Sequence, residues 1–286
     1  MILASDLGNP EGPVLLPDGS WLLVEMRPDR GWVTHLSADG RTRRVLAKTG
    51  RPNGLARAED GGIWIAESLT RALVRLGADG TCMEICTKCQ GEPFLFPNDL
   101  AFGPDGAIYM TDSGIPWPEW SARRAEYQRL TFDGRVYRID PRTMEVTKLD
   151  QGIPFTNGIA FGRDSALYVN ATVSGLVYRY AWEDGKVGKR EEFADVVDRG
   201  QSDGLRGPDG MKFGSDGRLY VTVAGQQEVR VVDRNGGTER RIALHGPRPT
   251  NLAFGPGGTR KIYVTEQGLG QFEVHDVETD GLPLYG

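Results

Sequence analysis

The sequence predicts an all-β fold, a six-bladed β-propeller with four-stranded antiparallel blades around a central channel. Three observations lead there. One phrase recurs six times in the 286 residues: an apolar triplet, a Gly/Asp-rich tight turn, then a second apolar run. The copies run from Val14-Leu15-Leu16, Leu55-Ala56, Leu100-Ala101-Phe102, Ile159-Ala160-Phe161, Met211-Lys212-Phe213 and Leu252-Ala253-Phe254. A period of roughly 40–50 residues made only of short strands signals radial repetition. The second apolar runs are continuous instead of alternating, as expected for strands covered on both faces by neighbouring blades. No linker interrupts the repeat, so residues 1–286 read as one domain.

Each unit divides into four strands. In the second unit the sequence places them at 54–58, 62–66, 72–76 and 82–87. Turns between first and second strands carry Asp18-Gly19, Asp60-Gly61, Asp105-Gly106, Asp164-Ser165, Asp216-Gly217 and Gly257-Gly258. These residues tolerate the positive φ of tight hairpins, so the carboxylates there read as turn formers. Met1-Ile2-Leu3-Ala4 before Gly8-Asn9-Pro10-Glu11-Gly12 repeats the pattern of Arg44-Val45-Leu46-Ala47 before Gly50-Arg51-Pro52-Asn53-Gly54. The N-terminal segment is therefore expected to be the outer strand of the last blade, which would hide the edge of an open ring. Leu282–Leu284 competes for that place. Two connections are long, 113–132 and 198–207, and both fall on the face where the first strands start. Long loops in compact domains commonly carry function, so the site is expected there.

The six residues at the entrances to the first strands are Glu11, Asn53, Asn98, Asn157, Asp209 and Asn251. Asn and Asp after Pro also serve as turn formers, but Glu11 has no such reason to be there. Six hard oxygen-bearing side chains converging on one axis suit a single divalent cation, with the two carboxylates neutralising it. Glu11, Asn157 and Asp209 are the first choices as ligands and Asn98 the next. Asn53 and Asn251 are expected to hydrogen-bond channel water or substrate. The absence of His and Cys from the ring argues against a tetrahedral structural zinc site. The second strands end on the same face at Glu25, Glu67, Asp112, Asn170 and Glu266. Solvation at a loop accounts for most of these. Asp112, at the root of the aromatic insertion, is the exception: a candidate substrate contact or proton acceptor.

Other chemistries find little support. Formal net charge is −5 with both signs scattered, and no basic stripe points to nucleic acid or an anionic membrane. No apolar run approaches a membrane span. Met1-Ile2-Leu3 leads directly into acidic and turn residues, so no secretory leader is expected and a cytoplasmic location is the default. Cys82, Cys86 and Cys89 have a C-x3-C-x2-C spacing also used for iron–sulfur clusters. The first two fall on an expected outer strand, so reduced thiols are the better account. His35, His245 and His275 are far apart in sequence and read as ordinary histidines. There is no nucleophile elbow, zinc-protease helix, phosphate loop or dinucleotide fingerprint.

The motifs Pro10-Glu11-Gly12-Pro13, Pro97-Asn98-Asp99-Leu100, Asn157-Gly158-Ile159-Ala160 and Pro208-Asp209-Gly210-Met211, in order at blade spacing, resemble the senescence marker protein (regucalcin)/gluconolactonase/luciferin-regenerating enzyme family. The resemblance covers nearly the whole chain. It implies a six-bladed propeller with one divalent metal in the channel: calcium or zinc, with magnesium and manganese as further candidates. It puts Glu11, Asn157 and Asp209 in the ligand places and Asn98 beside them. The implied activity is metal-dependent hydrolysis of sugar lactones or other cyclic esters, with organophosphate hydrolysis in related propellers. One departure stands out. Sugar-lactone members can carry an Arg two residues before the Asn-Asp pair, where this chain has Phe96. With Trp117 and Trp120 nearby, an aromatic or relatively apolar lactone is the expected substrate, bound by Asn98, Asn53, Phe96, Trp117 and Trp120. Asp209 is the expected base, with Asp112 in reserve. A non-catalytic binding propeller is the rival reading.

Overall fold

In the computed structural model, which describes residues 1–200 and 204–286, six four-stranded antiparallel sheets stand around an axis. The second blade shows the pattern. Its strands are Pro52–Arg57, Ile63–Glu67, Ala72–Leu76 and Cys82–Cys86, each paired with the next. The first strands line the channel and touch their neighbours in sequence, with the first blade's Pro10–Leu15 against the sixth blade's Pro249–Phe254.

Burial explains the continuous apolar runs. Six apolar clusters fill the six seams between blades. One example is Leu22, Val24, Leu55, Ile63 and Ile65 between blades one and two. Another is Val229, Val231, Leu252, Ile262 and Val264 between blades five and six. Each second strand contributes to a seam on both sides, so an alternating pattern would leave one seam polar.

The ring closes as the N-terminal pattern predicts. Ile2–Ala4 pairs with Gln271–Asp276 as the fourth strand of the last blade. The competing C-terminal stretch goes elsewhere. Leu282 N donates to Phe213 O over 2.8 Å, and Tyr285 bridges to Phe102. The tail thus crosses the lower mouth of the channel, from blade five to blade three. It covers a cavity of about 320 Å³ lined by apolar residues such as Leu55, Phe161 and Phe254.

The 113–132 connection is not pure loop. It carries a short helix, Trp117–Arg123, and a 3₁₀ segment, Arg124–Arg129. Pro118 in the first turn suits a helix start. Glu119 accepts from Arg123 over 3.1 Å, one turn later. Of the 198–207 connection, residues 201–203 lie outside the described residues. Gly204 and Leu205 meet the helical cap: Tyr127 Oη donates to Gly204 O at 3.5 Å, and Leu205 packs on the same aromatic cluster as Trp120.

Candidate functional site

The six channel residues do not precede the first strands. They lie inside them, one or two residues from the start, as Glu11 does in Pro10–Leu15 and Asp209 in Gly207–Phe213. In every blade the register between first and second strands slips at this point. An extra residue in one strand bends it and re-aims a side chain. Here the irregularity recurs beside the channel residue of every blade. Close approach is needed as well. A Cβ on Gly54 would lie 2.5 Å from Asp99 Oδ1, and one on Gly210 would collide with the Asn251 amide.

A belt of hydroxyls fixes the channel's orientation. Ser113 Oγ donates to Thr156 O at 2.9 Å, Thr172 Oγ1 to Pro208 O at 2.8 Å, and Thr250 Oγ1 to Pro10 O at 2.7 Å. Each bond runs from one blade to the next. With its proton committed, the hydroxyl can only accept from other partners. Asn98 Nδ2 donates to Ser113 Oγ at 2.9 Å and Asn157 Nδ2 to Thr172 Oγ1 at 3.0 Å. Both amides must therefore present Nδ2 to the belt, which leaves each Oδ1 for another partner. Asn157 Oδ1 is buried and has no hydrogen-bond partner. A buried acceptor in that condition costs stability unless something occupies it.

Three carboxylates share the channel with these amides. Asn251 Nδ2 donates to Glu11 Oε2 at 3.1 Å and to Asp99 Oδ2 at 3.3 Å, bridging the first and third blades. Burial, followed by the repulsion of Asp99, raises Glu11 from 4.5 to about 8. Burial, then Glu11 and Asp99, hold Asp209 well above the ordinary carboxylate range. Like charges crowded out of water favour protonation unless a cation joins them. The donors on offer are carboxylate and amide oxygens, and the buried Oδ1 of Asn157 is unpartnered, as is that of Asn170 at the end of its blade's second strand. That set fits a hard divalent cation of the calcium, magnesium or manganese type.

Asp99 escapes a reading that follows one register position per unit. It stands where four other units have Gly12, Gly54, Gly158 and Gly210. Its break in that pattern was the available signal. Arg51 is the second residue missed. It is buried, and its guanidinium lies 3.5 Å from the Trp117 ring centre and 5.2 Å from that of Phe96. One terminal nitrogen donates to Ser68 Oγ at 2.8 Å, while Nε has no partner. Burial lowers its pKa to about 9 against the pull of Glu67, Glu11 and Asp209. Arg51 precedes Asn53 by two residues, the same offset as Phe96 from Asn98. The basic group at this offset thus comes from the neighbouring blade. The upper wall of the pocket is aromatic and cationic together, not apolar alone.

Other expected site residues sit differently. Asp112 is fully buried and its two oxygens accept from three backbone N–H groups, those of Leu95 (2.7 Å), Phe96 (2.9 Å) and Gly114 (2.9 Å). Burial raises its pKa despite these bonds. Glu25, Glu67 and Glu266 likewise accept from the backbone N–H of the segment entering their own blades, at Gly8, Arg51 and Arg248. Glu266, for instance, accepts from Arg248 N at 2.8 Å and Leu269 N at 2.6 Å. Solvation is the wrong account of these carboxylates: each is buried and ties the loop entering its blade. Phe96 is 2% exposed and Trp120 7%, so little of either ring is open to a ligand. Trp120 packs on Phe155, centroids 4.6 Å apart, beneath the cap. Trp117 remains half-buried over Arg51, and Asn53 is buried in the wall.

Cys82 and Cys86 do lie on an outer strand, and burial pushes the Cys86 thiol up to about 11. The histidines need correction. His245 and His275 meet, ring centres 6.0 Å apart, on the carboxylate of Glu273, because the loop after blade five returns over the third strand of blade six.

This is a six-bladed propeller with an oxygen-lined, acidic channel mouth under an aromatic cap. Residues 9–268 match the SMP-30/gluconolactonase/LRE-like region, and the chain belongs to that family. It is similar to the gluconolactonase of Zymomonas mobilis, 28% identical over 78% of this chain and 67% of that protein. Other curated relatives are matched over less of their length, down to 41%. Among solved structures, a gluconolactonase of Xanthomonas campestris superposes with a TM-score of 0.78 at 25% identity, over 99% of this chain and 89% of that one. A calcium-binding regucalcin of Agrobacterium tumefaciens gives a TM-score of 0.78 at 23% identity, over 98% and 94%.

Proposed function

We propose that this protein is a metal-dependent lactonase whose site is the upper mouth of the channel. The observation that carries the reading is the unpartnered Oδ1 of Asn157, oriented by Thr172 and set among Glu11, Asp99 and Asp209. The gluconolactonase relatives support lactone hydrolysis as the reaction. Glu11, Asn157 and Asp209 would hold the cation, with Asn98 beside them. A divalent cation there supplies electrophilic polarisation of the lactone carbonyl and an attractive field for the charge that develops on it.

The chain's own groups do the rest. Asp209, partly open to the channel, takes a proton from the attacking water. Asn98 and Asn53 face the ring substituents. Arg51 offers Nε to a substrate oxygen, and Trp117 presents a flat apolar face beside it. That pairing suits a cyclic ester with one apolar or aromatic face and an oxygen-bearing edge. Asp112 acts as a positioning residue, because its oxygens are spent on the backbone that carries Phe96.

The test is a pH-indicator screen of lactones with and without chelator, on the wild type and Asp209→Ala. Chelator-sensitive hydrolysis that disappears in Asp209→Ala with the melting profile intact supports the reading. Hydrolysis at the wild-type rate in that variant overturns it.

A further inference from the structure

We propose that His245, Glu273 and His275 form a second metal site, one for a borderline dication of the zinc type, at the outer seam between the fifth and sixth blades. The strand register puts two of them together. Glu273 pairs with Val264 and His275 with Ile262, and both partners belong to the apolar seam between these blades. Side chains two residues apart on a strand share a face, so Glu273 and His275 project into the same seam. His245, in the connection leaving blade five, closes over them.

The geometry is that of a ligand set. His245 Nδ1 lies 3.0 Å and His275 Nε2 2.9 Å from the same oxygen, Glu273 Oε2. The three ligating atoms all lie within 4.8 Å of one another. Zinc bonds of about 2.0–2.2 Å in a tetrahedron separate neighbouring ligands by roughly 3.3 Å. To admit the ion, the two N–O separations of 3.0 and 2.9 Å open slightly, and the two ring nitrogens, within 4.8 Å of each other, settle to the same spacing. Two imidazoles and one carboxylate with a fourth position toward solvent is a zinc-type donor set, unlike the all-oxygen set of the channel.

The surroundings support it. Glu273 is fully buried, and its oxygens also accept from the backbone N–H of His245 at 3.0 Å and of Gly246 at 3.2 Å. Such outer bonds fix a ligating carboxylate in place. His245 is 54% exposed on its side chain, so the ion has an entry path. The site would also join two structural parts. Glu273 pairs directly with Ile2 of the closing N-terminal strand, while His245 belongs to the chain leaving blade five. Zinc there would pin the seam next to the strand pairing that closes the ring.

The experiment titrates zinc alone, then cobalt alone, into metal-stripped full-length protein held in excess calcium. Calcium occupies the hard-oxygen channel and leaves the imidazole site free. Wild type should take one zinc, show the visible absorption of tetrahedral cobalt, and melt at higher temperature with zinc, as expected when an ion binds the folded state only. His245→Ala, at an exposed position, should fold normally and lose the absorption. Its zinc affinity should drop by more than the roughly 10–100-fold that loss of a supporting bond costs. His275→Ala should behave alike. No zinc uptake by the wild type under these conditions overturns the proposal. So does uptake that survives His245→Ala, or that is abolished by Asp209→Ala instead.

Discussion

Asn157 Nδ2 donates to Thr172 Oγ1 at 3.0 Å, while Thr172 donates its own proton to the Pro208 carbonyl on the next blade. A side chain with no place in the chemistry thus decides which end of the Asn157 amide faces the channel. Thr172→Val keeps the shape and removes the hydroxyl. The expected outcome is a loss of roughly 10–100-fold in metal affinity, with Thr172→Ser restoring it. Calcium titration calorimetry on the three proteins measures this. Unchanged affinity in the valine variant would detach the belt from the site.

Metal-free protein should become less stable as pH rises. Burial raises Glu11 from 4.5 to about 8 in the folded chain. A folded value above the unfolded one contributes stability that is fully present below the unfolded value and lost as pH rises through the folded one. The loss therefore develops between about 4.5 and 8. A bound cation favours the ionised carboxylates and removes it. Melting curves of stripped and calcium-loaded protein, recorded across this window, should diverge as pH increases. Parallel curves would contradict the assignment of Glu11.

Arg51 should act on substrate binding. Arg51→Lys keeps a charge but loses the planar stack on Trp117 and the Nε donor. Loss of a hydrogen bond to a charged group costs about 1.5–3 kcal/mol. KM should rise at least about tenfold, with kcat changed less. Steady-state kinetics on the preferred lactone separate the two parameters, and an unaltered KM would remove Arg51 from the pocket.

Asp112→Ala should damage the fold more than the chemistry. Three backbone N–H groups, two of them buried, lose their acceptor, at about 1–3 kcal/mol for each buried one left unsatisfied. A clear fall in melting temperature is expected, with kcat on folded protein at low temperature within about tenfold of wild type. A collapsed kcat with an unchanged melting curve would return Asp112 to the proton-transfer role.

The architecture was legible because repetition exposes itself: the same hairpin residues and apolar triplets return at one spacing. The expected ring from Glu11 to Asn251 rests on that register. What stayed hidden is what crosses the register. Asp99 stands one place along from the repeated position, where most units have glycine, and Arg51 reaches its neighbour's wall from an unremarkable turn. Glu25, Glu67 and Glu266 look like loop-end charges until the loops fold back over them. His245 meets Glu273 and His275 only because two blades share a seam. The C-terminal stretch has the apolar pattern of an outer strand, yet the closing place goes to Ile2–Ala4.

The hydroxyl belt also has a sense of rotation. Among the described residues its bonds run from blade three to four, four to five, five to six, and six to one. A disturbance of the Pro208 carbonyl on blade five would release Thr172, and with it Asn157, on blade four. Distortion would therefore pass backward across these four junctions while loops above the belt vary freely. A blade exchanged between relatives would bring its own specificity loops but take the aim of its channel amide from the neighbour it lands beside.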